Sequence, residues 1–308
     1  MELSGKHVLI TGGAGFVGSH LAAHLNGANQ VAVVDDLSNG RRAWVPDDVE
    51  VIEGDLTDPG TAEAAITPEL DAVFHLAADK AADRDEVDQF RLNNRLTEVV
   101  VERMHEAGVD TLAFTSSSTV YGEAPRPTPE DYPPEPISVY GASKVASEAL
   151  LSTYAHSHGL TVRAFRFANI VGPRLQPGAV IVDFIEKLRE DPGTLEILGD
   201  GRQEKSYMHV TECVAAMCHA VEHAEGAFEA YNLGTRTTTS VTTIADIVAG
   251  EMGVDPEYAF TGGERGWVGD VPRMRLSVEK LSALGWAPEM SSDDAVRRAT
   301  RELVAERT

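Results

Sequence analysis

The chain has 308 residues, of which 43% are hydrophobic, and it sets 49 acidic side chains against 26 basic ones for a formal charge of −23. That length allows one large core, or a core with a smaller lobe, and the apolar share is ordinary for a globular protein. The acidity argues against nucleic acid or an anionic membrane as partner, no apolar run reaches the length of a membrane span, and the N-terminus lacks a basic-then-apolar signal pattern, so a soluble, cytoplasmic protein is expected.

The first element is the most informative. Val8-Leu9-Ile10-Thr11 runs straight into Gly12-Gly13-Ala14-Gly15-Phe16-Val17-Gly18, after which Leu21 and Leu25 continue a helical spacing. This reads as a buried parallel strand, a tight turn and the start of a helix to about Asn26. Glycines at 12, 15 and 18 suit a turn that a Cβ would block, an approach of backbone to a pyrophosphate, and close packing of helix on strand. The exposed amides at the helix start form a seat for phosphate. Gln30-Val31-Ala32-Val33-Val34-Asp35 is a second strand ending in an acid, 17 residues past Gly18. A carboxylate there accepts hydrogen bonds from an adenosine ribose and repels a 2′-phosphate, which points to NAD rather than NADP.

Strands are expected at Val49 to Leu56, with Asp55 beside an adenine pocket, at Ala72 to Ala78, and at Thr111 to Thr115. A helix is expected from Leu92 to Ala107. The serine run Ser116-Ser117-Ser118 leads to Tyr121-Gly122, and Glu123 to Pro136 reads as a Pro-rich, acidic surface loop. The helix from Ser138 to His156 places Tyr140 and Lys144 one turn apart on one face. A tyrosine with a pKa near ~10 is a poor base at neutral pH, and a neighbouring lysine cation, with the positive nicotinamide nearby, is expected to favour its phenolate. Lys144 is also expected to hold the nicotinamide ribose. Thr161 to Ala168 is a further strand, and then the alternation changes. Breaks at Gly172-Pro173, Pro177-Gly178 and Pro192-Gly193 mark a second lobe, Tyr231 to Gly234 reads as a return strand, and a helix from Ser291 to about Ala305 ends the chain. Cys213 and Cys218 share an expected helix, Thr211 to Glu225, and read as buried thiols. No histidine or cysteine spacing suggests a metal site.

The alternation implies an α/β fold: a doubly wound parallel (Rossmann) sheet with a smaller α/β substrate-binding lobe. The expected division is 1–172, with a return segment near 205–235, for the dinucleotide and 173–308 for the lobe.

The ordered set of motifs resembles the extended short-chain dehydrogenase/reductase family, and within it the NAD-dependent nucleotide-sugar epimerases of the archaeal UDP-glucose 4-epimerase type. It comprises Thr11-Gly12-x-x-Gly15-x-x-Gly18, Asp35-Asp36-Leu37-Ser38-Asn39-Gly40, Gly54-Asp55-Leu56, His75-Leu76-Ala77-Ala78, Tyr140-Gly141-Ala142-Ser143-Lys144, Arg166 to Arg174, Ser206-Tyr207-Met208-His209-Val210 and Arg265 to Asp270. The resemblance implies Tyr140 as acid/base, Lys144 as its partner and Ser117 as the hydroxyl that orients the reacting sugar oxygen. It implies NAD contacts at Gly12, Gly15, Phe16, Val17, Asp35, Asp36, Ser38, Asn39, Gly40, Asp55, Leu56, Leu76, Ala77, Ala78 and Ser116, as well as at Tyr140 and Lys144. It also implies Asn93 among the cofactor-binding residues, as the asparagine that props the active-site helix. Ser117, Ser118, Asn169, Arg174, Lys205 and Arg265 are implied on the nucleotide sugar, a UDP-hexose inverted at C4. Helices near Leu92–Glu106 and Val145–His156 are implied to pair two copies into a homodimer.

Three departures bear on the sugar: Asp79-Lys80-Ala81-Ala82-Asp83-Arg84-Asp85-Glu86 replaces the usual Val, Ser and Pro residues, Lys205 stands for a common arginine, and Trp267 lengthens the segment around Arg265. Related 4,6-dehydratases carry Asp-Glu after the catalytic threonine, where this chain has Ser118 and Thr119. Epimerases acting on an N-acetylhexose or a uronate, reductases, and NAD-sensing regulators of the family are the remaining alternatives. With only six lysines, the acidic chain also resembles cytosolic proteins of halophilic archaea.

Overall fold

The computed structural model describes residues 1–80, 87–264 and 271–307. In chain order its elements are β1 (His7–Thr11), α1 (Phe16–Asn26), β2 (Gln30–Asp35), β3 (Glu50–Glu53), α2 (Pro59–Ala65), β4 (Ala72–His75), α3 (Val87–Ala107), β5 (Thr111–Ser117) and α4 (Val139–His158). They continue with β6 (Thr161–Phe167), β7 (Asn169–Val171), α5 (Val180–Glu190), β8 (Thr194–Ile197), β9 (Glu204–Lys205), β10 (Tyr207–His209), α6 (Val210–His223) and β11 (Phe228–Leu233). The last are β12 (Thr239–Ser240), α7 (Val241–Met252), β13 (Glu257–Phe260), β14 (Arg273–Met274), α8 (Glu279–Ala283) and α9 (Ser292–Glu306).

Seven strands form one parallel sheet in the order β11-β6-β5-β4-β1-β2-β3. The order reverses between β1 and β4, and ligands of such sheets bind at the strand ends beside that reversal. Both faces are covered, which is why the strands read as continuous apolar runs rather than alternating ones. Val8 and Ile10 of β1 and Phe74 of β4 enter the core on one face, with α1, α6 and the smaller lobe. Leu9 of β1 and Val73 of β4 enter the other, with α2, α3 and α4. Each fully buried aliphatic side chain contributes about 1.5–3 kcal/mol.

The expected doubly wound sheet with a smaller α/β lobe is therefore present. Several boundaries differ for local reasons. Strand β3 stops at Glu53, because Asp55 folds back on the amide and hydroxyl of Thr57. Helix α4 runs to His158, closed by Gly159 in the left-handed region. Residues 123–136 carry no helix, yet they are not purely surface: Thr128 is buried and bridges to Leu276. Both cysteines are buried in α6, and burial pushes their thiols up, Cys218 to about 12. No described helix is long and apolar enough to cross a membrane, and no described cluster of His, Cys, Asp and Glu could hold a metal ion.

Candidate active site

The turn after β1 is built from backbone. Gly12 has φ +66, and a Cβ there would stand 2.9 Å from the Ala77 amide nitrogen. A Cβ on Gly18 would stand 2.3 Å from the Gly12 carbonyl oxygen. Only glycine lets strand, turn and helix approach this closely. No side chain caps α1 at Gly15, so the first-turn amides of Phe16 and Val17 head the helix without a side-chain acceptor. Such a terminus favours an anion.

Asp35 ends β2 beside this turn. Its buried carboxylate accepts from the amides of Ala14 and Leu37, each at 2.9 Å. Burial raises its pKa, against the lowering effect of those amides. A carboxylate offers about four acceptor positions, so these amides leave it acceptor capacity for a ribose hydroxyl. The loop that follows closes over it: Asp36 accepts from Ser38, the Asn39 carbonyl from Gln176, and Gly40 packs against Asp35 where a Cβ would meet its Oδ1 at 2.7 Å. Leu56 is buried and Asp55 lies exposed beyond β3. Across the turn, Thr11 Oγ1 accepts from the amides of Leu76 and Ala77, which fixes the end of β4 to the glycine turn, with Ala78 following. The cradle, the uncapped helix and the acid at β2 fit a dinucleotide.

The second half of the site is made of side chains. Ser138 caps α4 by accepting from the Gly141 amide at 3.1 Å. A Cβ on Gly141 would stand 2.6 Å from the Thr119 carbonyl, so this glycine lets the helix close on the turn that carries Ser117. Tyr140 is half-buried and Lys144 is buried. The Lys144 ammonium donates to the Thr115 carbonyl at 2.8 Å and lies 5.6 Å from the Tyr140 ring centre and 4.8 Å from that of Phe114. Burial lowers Lys144 to about 8, with Glu148 acting against it. In the protein alone, burial, aided by the Asp79 charge, pushes the Tyr140 phenol up to about 12. Ser117 Oγ accepts from the Thr119 amide and hydroxyl, which leaves its own proton free to donate.

The other expected residues divide. Asn93 is buried and holds Asp79 reciprocally, main chain to side-chain amide at 2.8 and 2.9 Å, and reaches Ser143 of α4 at 3.3 Å. Ser118 follows β5 in a short turn. Asn169 lies on β7 and donates to the Ser206 carbonyl, and Lys205 lies on β9 between β12 and β14. Two residues are placed otherwise than expected. The Ser116 hydroxyl is buried against Glu148 rather than turned to a cofactor. Arg174, at φ +67, donates to the Trp44 carbonyl, and its amide donates to Glu306. Its guanidinium thus ties the lobe to the segment after β2. Arg265, Trp267 and 81–86 lie outside the described residues.

Sequence reasoning missed the buried groups behind the site. His75 bonds Thr11 at 2.7 Å and is held neutral, since burial and the Lys144 charge push it down to about 3. Glu148 and Arg166 form a buried ion pair. Signals for the pair exist: Glu148 continues the Tyr140–Lys144 face by one turn, and a charge inside the apolar strand Ala-Phe-Arg-Phe needs a partner.

Comparison with known proteins identifies the family. Residues 8–234 match the NAD dependent epimerase/dehydratase family. The UDP-glucose 4-epimerase of Mycolicibacterium smegmatis is 33% identical over 306 residues, covering 94% of this chain and 96% of that protein. A crystal structure of a UDP-galactose 4-epimerase is 42% identical, with TM-score 0.89 over 97% of this chain and 99% of that one. The UDP-glucose 4-epimerase of Thermus thermophilus, solved in complex with NAD, is 31% identical, with TM-score 0.86 over 96% and 98% of the two chains.

Proposed function

Because the chain belongs to the NAD dependent epimerase/dehydratase family, we propose that it inverts C4 of a UDP-hexose of the UDP-glucose/UDP-galactose type through a transient 4-keto sugar. Its cofactor is NAD, seated by Gly12, Gly15, Phe16, Val17 and Asp35. The observation that carries the reading is the closure of α4 at Gly141 onto the Ser117 turn, which sets Tyr140, Lys144 and Ser117 together beyond the same strand ends as the glycine turn.

Bound NAD supplies a hydride acceptor and donor for C4 and, when oxidised, a positive charge on its ring. The protein handles the proton and the geometry. Ser117 donates to the sugar 4-oxygen and holds it in line with Tyr140. Tyr140 takes the hydroxyl proton as C4 becomes a ketone and returns it to the 4-oxygen when hydride comes back to the opposite face of C4, so net oxidation is zero. A phenol at about 12 needs positive charge to act near neutral pH, and Lys144 with the oxidised ring provides it. Asn169 and Lys205 serve the sugar diphosphate; Arg174 is not assigned there. Ser118 and Thr119 offer no carboxylate for the acid and base work of a dehydratase.

Residues 1–172, with the return segment 205–235, serve NAD, and 173–308 serve the nucleotide sugar. A homodimer through α3 and α4 is supported by Leu92, which α3 leaves 40% exposed, and is checked by light scattering. The charge of −23 supports a cytoplasmic enzyme adapted to concentrated salt, since counter-ions screen its self-repulsion.

The test is incubation of the purified protein with UDP- and dTDP-sugars in concentrated and dilute KCl. C4 inversion of a UDP-hexose with no NAD added or consumed, strongest in concentrated salt, is expected. Loss of water from the sugar, or stoichiometric use of NADH, would overturn the reading.

A further inference from the structure

Behind the catalytic residues lies a buried polar chain that the reaction does not itself require. Glu148 stands one turn beyond Lys144 on α4, is buried, and accepts a two-point grip from Arg166 of β6, Nη2 to Oε2 at 2.6 Å and Nε to Oε1 at 3.0 Å. The Ser116 hydroxyl at the end of β5 donates to the same carboxylate. Arg166 also donates to the Tyr121 hydroxyl at 2.7 Å and to the Glu130 carbonyl at 2.8 Å. Tyr121 passes the contact to Asn232 at 2.8 Å, and Asn232 holds the carbonyls of Thr128 and Ser277. One continuous set of bonds thus joins the catalytic helix, the strand end next to Ser117, and the lobe segment around Ser277.

A buried ion pair of this kind brings little net stability, because desolvation of both charges offsets their attraction. Apolar side chains would fill the space as well, so stability does not account for it. Resting on the epimerase reading above, we propose that Glu148 and Arg166 are positioning residues: they lock α4 to the end of β5 and so set the Lys144 ammonium and the Ser117 hydroxyl at their working distance from Tyr140. The planar guanidinium suits this, since its fork fixes the carboxylate in orientation as well as in distance. Glu148 also opposes the burial that lowers Lys144. The other titratable groups around Lys144 are Tyr140 on its own helix and His75 at the end of β4, with Asp79 beyond, toward Tyr140. None of these supplies a carboxylate from the side that Glu148 occupies.

The experiment compares Glu148→Gln, Arg166→Lys and Ser116→Ala with wild type as purified holoenzymes. It reads kcat, KM, bound NAD, and the titration midpoint of Lys144 by [13Cε]lysine NMR; the chain's six lysines make assignment tractable. A misplacement of about 1 Å costs on the order of 100-fold in rate, so Glu148→Gln is expected to lower kcat on that order with KM and NAD content little changed. Its Lys144 midpoint is expected to fall by on the order of one pH unit, as an adjacent charge is lost. Arg166→Lys keeps the charge and loses the fork, so it should lower kcat while the midpoint stays. Ser116→Ala, the mildest change, should lower kcat least, and together with Arg166→Lys it decides the matter if Glu148→Gln does not fold. Wild-type kcat in Arg166→Lys and Ser116→Ala, or rate losses that only track lost NAD or lost fold, would overturn the proposal. If the wild-type protein inverts no UDP-hexose, it is the epimerase reading that fails; an unmoved Lys144 midpoint in Glu148→Gln would still count separately against the pair.

Discussion

The two ends of the site are built on opposite principles. At the β1–α1 turn the working parts are missing atoms: Gly12 and Gly18 leave backbone where a Cβ would collide with Ala77 and with the Gly12 carbonyl. At the α4 end the working parts are side chains whose protons are displaced by burial, Tyr140 upward and Lys144 downward. The first end can only hold. The second carries the proton chemistry, on what the first end holds in place. Substitutions at the glycine turn should therefore cost cofactor, and substitutions on α4 should cost rate at full cofactor occupancy.

The sharpest separation is expected from Tyr140→Phe. It removes the proton carrier and leaves the ring, so kcat should fall by about 10²–10⁴-fold, while NAD content measured on the released nucleotide matches wild type. Gly18→Ala should do the reverse. Its Cβ, 2.3 Å from the Gly12 oxygen, forces the turn apart at about 1–3 kcal/mol, so the protein should purify with less NAD and recover rate when NAD is added in excess. If Gly18→Ala keeps full NAD and loses rate instead, the contrast between the two ends is broken. The smallest effect concerns pH. Lys144 must carry its charge to favour the Tyr140 phenolate, and burial holds it at about 8. Activity should therefore decline as pH rises through that value. Lys144→Arg, charged throughout, should lower kcat modestly and shift that decline to higher pH; a decline unchanged in Lys144→Arg would assign it elsewhere.

The same contrast explains what can be read from the chain alone. The glycine turn, Asp35 at the end of β2 and the Tyr140–Lys144 face are local patterns, complete within a strand, a turn or one helical turn. The main sheet is legible for the same reason, since each of its inner strands is an apolar run buried on both faces. The smaller lobe is not: β9, β12 and β14 are two residues each, too short for any periodicity to show. The motif around Arg174 places it on the sugar diphosphate, but its actual position depends on Trp44 and Glu306, far away in the chain. Tyr140 shows the limit most clearly. Its neighbour Lys144 is visible in sequence, whereas the burial and the Asp79 charge that raise the Tyr140 phenol arise only from packing.

The central claim is that hydrogen leaves C4 and returns to it within one closed site, with Tyr140 handling only the hydroxyl proton. Its most direct test is conversion of a UDP-hexose by the purified holoenzyme in D₂O, followed by NMR of the product. The account predicts an inverted C4 that keeps its carbon-bound hydrogen, with no deuterium on the ring. Deuterium at C4 or C5 of the inverted product would contradict it.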